Sequence, residues 1–147
     1  MQDDSFEIFN NKTGVVIITS IDMKSKTPIY IQLKTAIIAS ILKEELKAGD
    51  TLPSVRKLSS DLGINLHTVN KTYNVLRDEG FVAIHRSKGA VVLGRSHANQ
   101  DTVEELKKVL TPFVVDAKGK NIERWLFDTI VDSIWQEAAP EKLPEAN

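Results

Sequence analysis

Leu52-Pro53-Ser54-Val55-Arg56-Lys57-Leu58 opens the stretch that decides the fold: a helix start followed by a short basic helix that stops at Gly63. Asn65-Leu66-His67-Thr68-Val69-Asn70-Lys71-Thr72-Tyr73 is a second helix start, and its outward side chains can hydrogen-bond. Phe81-Val82-Ala83-Ile84, the basic turn His85-Arg86-Ser87-Lys88-Gly89 and Ala90-Val91-Val92-Leu93 then read as a β-hairpin. Helix, turn, helix, hairpin is the order of a winged helix-turn-helix, in which the second helix enters the major groove of DNA. The expected fold is therefore mainly α with a small β-hairpin, the helix-turn-helix over about 54–77 and the wing over about 81–93.

Side-chain spacing sets what each helix buries. Ser54 is expected to cap the first helix, with Val55, Leu58 and Leu62 facing inward and Gly63 supplying the left-handed geometry of the interhelical turn. The second helix, capped by Asn65, turns Val69, Tyr73 and Leu76 inward and His67, Thr68, Asn70, Lys71 and Asn74 outward. Polar residues on an outer face are ordinarily just solvated. Here short donors and acceptors gather at the amino-terminal end, where a recognition helix meets base edges.

Upstream, Thr27-Pro28 reads as a helix entry, Thr27 as cap and Pro28 in the first helical position. Ile29, Leu33, Ile37 and Ile41 recur every fourth residue, with Ile38, Leu42 and Leu46 beside them, which predicts one wide apolar face ending near Gly49. Residues 1–22 hold Phe6-Glu7-Ile8-Phe9 and Val15-Val16-Ile17-Ile18-Thr19 around the turn-forming Asn10-Asn11-Lys12-Thr13-Gly14, either a β-hairpin or an arm with one docked strand. Residues 24–95 thus form the expected head.

Downstream, Ser96 to Gln100 is a polar linker, and residues 101–138 read as two helices. Asp101 is the expected cap of the first, whose apolar positions include Val103, Leu106, Val109, Leu110, Phe113 and Val114. Gly119 breaks it, and Asn121 starts the next, with Ile122, Trp125, Leu126, Thr129, Ile130 and Ile134 or Trp135 buried. Two such helices are too small for a core of their own, and their apolar faces are a liability on a monomer. Leu106, Leu110, Phe113, Trp125, Leu126 and Ile130 are accordingly expected to form a dimerisation surface. Residues 139–147, with two prolines and scattered charge, read as a frayed tail.

The bulk numbers fit. A chain of 147 residues with 27% charged and 41% hydrophobic residues suits a small globular domain with an accessory piece. The absence of cysteine excludes disulfides, thiolate metal sites and a thiol nucleophile, and suits a reducing compartment. Met1-Gln2-Asp3-Asp4 lacks the positive start of a signal peptide, and no apolar run is longer than that of Val15 to Ile18, far too short for a bilayer, so a cytoplasmic protein without membrane attachment is expected. A net charge of −1 hides a segregation: residues 24–95 carry 12 basic and 6 acidic residues, the remainder 7 and 14. A basic reading head on an acidic accessory piece has this signature.

The stretch from about Lys24 to Leu93 resembles the DNA-binding domain of GntR-family transcription regulators. The resemblance rests on Pro28-Ile29-Tyr30-Ile31-Gln32, on Leu46-Lys47-Ala48-Gly49-Asp50-Thr51-Leu52-Pro53-Ser54-Val55-Arg56-Lys57-Leu58 and on Leu62-Gly63-Ile64-Asn65. Thr68-Val69-Asn70-Lys71-Thr72-Tyr73 and Leu76-Arg77-Asp78-Glu79-Gly80-Phe81 complete it. The short two-helix remainder looks like the YtrA subfamily, whose carboxy-terminal helices dimerise and whose members commonly repress membrane-transport operons. Leu66 stands where that subfamily often has proline, His67 where it has a small polar residue, and Ser87 where the wing has its first glycine.

Carried over by position, Arg56 resembles the family arginine that contacts DNA, and its planar fork suits phosphate or a guanine edge. Ser54 and the free N–H groups at that helix start suit a phosphate. Asn65, His67, Thr68 and Asn70 are candidates for base-edge readout and Lys71 for the backbone. Arg86 and Lys88 are placed at the minor groove, with Gly89 allowing close approach. An ion pair of Arg56 with Asp61 or Asp78 is the intramolecular alternative. The implied function is a homodimeric repressor on a palindromic double-stranded operator. A winged helix that binds protein instead of DNA would need an acidic or apolar recognition face. An enzyme is disfavoured: His67, His85 and His97 are widely spaced, and no phosphate loop, nucleophile motif, metal cluster or cofactor signature is visible. The sequence names no small-molecule effector.

Overall fold

The computed structural model describes residues 5–9 and 16–138, in two compact units, a head up to Ser96 and a helical unit from His97. The Asn10–Gly14 turn and the 139–147 tail of the sequence reading lie outside the described residues.

The head begins with an antiparallel pair, β1 (Ser5–Phe9) and β2 (Val16–Ser20), in register Ser5 with Ser20 and Phe9 with Val16. β2 runs beside α1 (Ile29–Leu42), which gives the hairpin the partner surface an isolated pair of strands lacks. Gln32 ties the intervening turn to α1. Its amide donates to the carbonyls of Thr27 (2.8 Å) and Asp22 (3.0 Å), and its oxygen accepts from the Asp22 N–H (2.8 Å).

Two expectations for α1 are corrected. Pro28, not Thr27, is the cap residue: its ψ of 141° is still extended, the Ile31 and Gln32 N–H groups close on its carbonyl, and no side chain makes a cap bond. The helix stops at Leu42 rather than near Gly49: Glu44 adopts a left-handed φ of 59°, and the N–H groups of Glu45 and Leu46 close back on the Ser40 carbonyl. Leu46 is still buried, carried inward by this turn instead of by a continuing helix.

α2 (Val55–Leu62) and α3 (Leu66–Asp78) follow, joined at Gly63 with its left-handed φ of 64°. The hydroxyl of Ser59 donates to the Ile64 carbonyl (2.6 Å) and pins the turn. β3 (Val82–His85) and β4 (Gly89–Val92) form the wing, with Val82 opposite Val92 and His85 opposite Gly89. His85 and Gly89 are thus paired strand ends, and the loop proper is Arg86-Ser87-Lys88. Residues 49–52 add to the other edge of β4: the Leu52 N–H donates to the Ala90 carbonyl and the Val92 N–H to the Asp50 carbonyl, both at 2.8 Å. Leu52 precedes a proline and is therefore pushed toward extended backbone.

Leu33, Ile37 and Ile41 of α1, Leu58 of α2, Val69, Tyr73 and Leu76 of α3, and Val82, Ala90 and Val92 of the wing make one core. Burial of a side chain such as Leu33 stabilises by about 1.5–3 kcal/mol. The core holds all three helices and the wing as one body.

The helical unit contains α4 (Gln100–Gly119) and α5 (Arg124–Ala138). Asn99 caps α4, not Asp101: its side chain accepts from the Thr102 N–H (2.8 Å), and Thr102 reaches back in a capping box. Asp101 lies in the first turn, where a carboxylate favours the helix dipole. Pro112 sits inside α4, where it removes the N–H that would reach Lys108. Asn121 does not start α5. It takes a left-handed φ of 56° in the connecting turn, and the Ile122 N–H closes on the Ala117 carbonyl. The residues expected buried in α5 are exposed in the single chain, Trp125 at 67% and Trp135 at 79%, while Ile122 before it is half-buried.

Candidate nucleic-acid interface

Three segments of the head present the candidate residues. At the start of α2, the Ser54 side chain accepts from the Lys57 N–H (3.1 Å), which leaves the N–H groups of Val55 and Arg56 without a helical acceptor. Arg56 is exposed, and among the described residues it pairs with no carboxylate. Asp61 is taken by Lys57 (2.9 Å) and Asp78 by Arg77 (2.9 Å), so neither carboxylate weighed for Arg56 binds it.

At the start of α3, Asn65, His67, Asn70 and Lys71 are exposed and Thr68 is half-buried. The Asn65 oxygen accepts from the His67 N–H (2.8 Å), so its capping duty leaves the amide NH2 as the group able to reach a base. Asn74, read as outward, is half-buried. Opposite this face Val69, Thr72, Tyr73 and Leu76 are buried, so the polar face cannot roll inward. The Tyr73 hydroxyl donates to the Pro53 carbonyl (2.7 Å) and fixes α3 against the residue that precedes the α2 cap. Burial of that phenol pushes its pKa well above the usual tyrosine range.

Lys71 has a partner that sequence reasoning missed. Its ammonium stands 3.9 Å from the centre of the Tyr30 ring on α1, a cation–π contact. The four-residue spacing on α1 gave no hint of it, since the contact joins residues far apart in the chain. At the wing, Arg86, Ser87 and Lys88 are exposed, and Gly89 has φ of 74°, which a side chain would strain. Among the described residues no group of three or more histidines or carboxylates is placed to hold a metal ion, and no helix is long and apolar enough to cross a membrane.

A capped helix, a glycine turn, a second helix with a polar outer face, and a basic hairpin define a winged helix-turn-helix of the nucleic-acid-reading class. Residues 29–92 match the family described as "Bacterial regulatory proteins, gntR family". The transcriptional repressor YtrA of Bacillus subtilis is 32% identical over 105 residues, 70% of this chain and 81% of that protein. The structure of YtrA from Sulfolobus acidocaldarius, a GntR-family transcription factor, is 44% identical, covers 63% of this chain and 96% of its own, and has a TM-score of 0.51. A Listeria monocytogenes structure described as a transcriptional antiterminator shares the fold, with a TM-score of 0.76 at 22% identity over 86% of this chain and 96% of its own. The chain belongs to the GntR family, DNA-binding regulators of transcription, and within that family it is YtrA-like.

Proposed function

We propose that this regulator is a homodimeric, cytoplasmic repressor without enzymatic activity that binds a palindromic operator and controls an operon. One observation carries the reading: the first two turns of α3 expose Asn65, His67, Asn70 and Lys71 while Val69 and Tyr73 anchor the opposite face. α3 lies in the major groove, with His67, Thr68, Asn70 and the Asn65 amide at base edges and Lys71 on the backbone. Arg56 and the open N–H groups after Ser54 hold a phosphate. Arg86 and Lys88 flank the minor groove, and Gly89 lets the wing approach.

A single head offers too few base contacts for a unique site, whereas two heads on a two-fold axis read a palindrome. Leu106, Leu110 and Phe113 on α4, with Trp125, Leu126 and Ile130 on α5, are exposed and supply the apolar surface for pairing. Repression is supported by the designation of the Bacillus subtilis relative as a repressor.

Protection of the promoter of its own gene, read by footprinting, tests the operator. Measured against salt, each phosphate neutralised by Arg56, Lys71, Arg86 or Lys88 contributes about −0.9 to the slope of log affinity on log salt. A flat salt dependence would remove these residues from the DNA face.

A further inference from the structure

The head carries a basic segment that neither the helix-turn-helix nor the wing accounts for. Between Ile21 and Ala36 the chain holds Lys24, Lys26 and Lys34 against a single acid, Asp22. Lys34 is spent on Glu79 at the end of α3, at 2.9 Å. Lys24 and Lys26 are exposed, and among the described residues neither pairs with a carboxylate.

Two contacts show where this segment lies. Lys34 meets Glu79 just past the carboxy-terminal end of α3, whereas one turn earlier on α1 the Tyr30 carbonyl meets the Thr72 hydroxyl, at 3.5 Å, in the middle of α3. α1 and α3 therefore run alongside each other in the same sense. What precedes Tyr30 lies toward the amino-terminal end of α3, the end proposed to read bases. Lys71 leans the same way, held over the Tyr30 ring at 3.9 Å. The segment is also built in place. Gln32 makes its three bonds to the backbone of Asp22 and Thr27, and the Asp22 carboxylate accepts from the Lys24 N–H (2.9 Å).

We propose that the turn from Met23 to Thr27 is a third DNA-contacting element of this head, with Lys24 and Lys26 on phosphates beside the recognition helix and Gln32 as its positioning residue. This rests on α3 being the helix that enters DNA. DNA backbone is the fitting occupant because the turn offers compact ammonium groups and no planar fork, and because it leads into the helix whose Tyr30 ring carries Lys71. Contacts of this kind add affinity without sequence preference.

The test compares salt dependence of binding for the full-length chain on a random-sequence duplex and on its own promoter. Lys24→Gln with Lys26→Gln should reduce the magnitude of the log–log slope by about 0.9 per lysine for each bound head, equally on both DNAs. Lys43→Gln, after the far end of α1, removes one charge as a control and should leave the slope alone. Gln32→Leu keeps every cation but releases the turn, and should reproduce part of the loss. An unchanged slope in the double variant, while Arg86→Gln lowers it, overturns the third element and leaves the DNA face standing. An unchanged slope in both overturns the DNA face as well. An equal loss with Lys43→Gln means that net charge alone acts, and the assignment falls. Full retention of the slope by Gln32→Leu removes Gln32 from the positioning role.

Discussion

The hydroxyl of Tyr73 donates a 2.7 Å hydrogen bond to the carbonyl of Pro53, twenty residues earlier, and both residues are buried. The bond crosses from the middle of α3 to the residue before the α2 cap. It couples the helix that presents His67 and Asn70 to the helix start that presents Arg56. Tyr73→Phe keeps the ring and leaves the Pro53 carbonyl without its donor. A loss of about 1–3 kcal/mol in unfolding free energy is expected. Chemical denaturation measures it, and a variant as stable as the wild type would mean that water or a rearranged backbone satisfies Pro53.

The same phenol sets an alkaline limit. Its folded pKa is raised by burial, so the neutral form is the one the fold accepts. The stabilisation is fully present below the unfolded tyrosine value of about 10 and is lost as pH rises beyond it. Stability of the wild type should therefore fall more steeply between about pH 9 and 11 than that of Tyr73→Phe, because lysine titration is common to both. Parallel curves would contradict the assignment. Tyr30, the other tyrosine in the chain, is unchanged in this comparison.

Within α3, backbone and base contacts should separate on mutation. Lys71→Ala is expected to weaken cognate and random DNA alike. His67→Ala and Asn70→Ala should each cost about 1–3 kcal/mol on the cognate site and much less on random DNA. Equal losses on both DNAs would move His67 and Asn70 to the backbone. Tyr30→Leu should resemble a weaker Lys71→Ala, since it removes the ring that aims the ammonium but not the charge.

The helix-turn-helix was legible in the sequence because its determinants are local. Ser54, Gly63 and Asn65 each act on backbone within a few residues, and the structure places all three in those duties. Helix ends where several residues compete were less legible. Thr27 and Pro28, and Asp101 and Asn99, are neighbouring residues at helix entries, and which of them caps depends on how the surrounding backbone groups pair. Glu44 in left-handed backbone, not Gly49, follows the end of α1, a conformation uncommon for residues other than glycine and so not signalled by the sequence. Contacts between distant segments were silent altogether: Lys71 on Tyr30, Tyr73 on Pro53, and residues 49–52 along β4. The residue types on the exposed face of α3 and at the wing tip could be read from sequence; their partners within the head could not.

The exposed apolar rows of the helical unit lead to the last prediction. On α4, Leu106, Leu110 and Phe113 follow at spacings of four and three, so they share one face; on α5, Leu126 and Ile130 do the same beside Trp125. Phe113 is 65% exposed in the single chain, and with its neighbours it makes a contiguous apolar row of the kind that marks an interaction surface. Covering a side chain such as Leu110 or Trp125 stabilises by about 1.5–3 kcal/mol, and a two-fold axis counts each contact twice. Leu110→Glu with Ile130→Glu should therefore yield a monomer by mass in solution and lose tight binding to a palindromic operator. The head should stay folded, since its core contains no residue beyond Val92. A chain ending at Ser96, which keeps the Ser96 hydroxyl bond to the Glu79 carbonyl (2.7 Å), provides the second arm. If that head is monomeric yet binds the palindrome as tightly as the full chain, pairing through α4 and α5 is not what makes the operator complex.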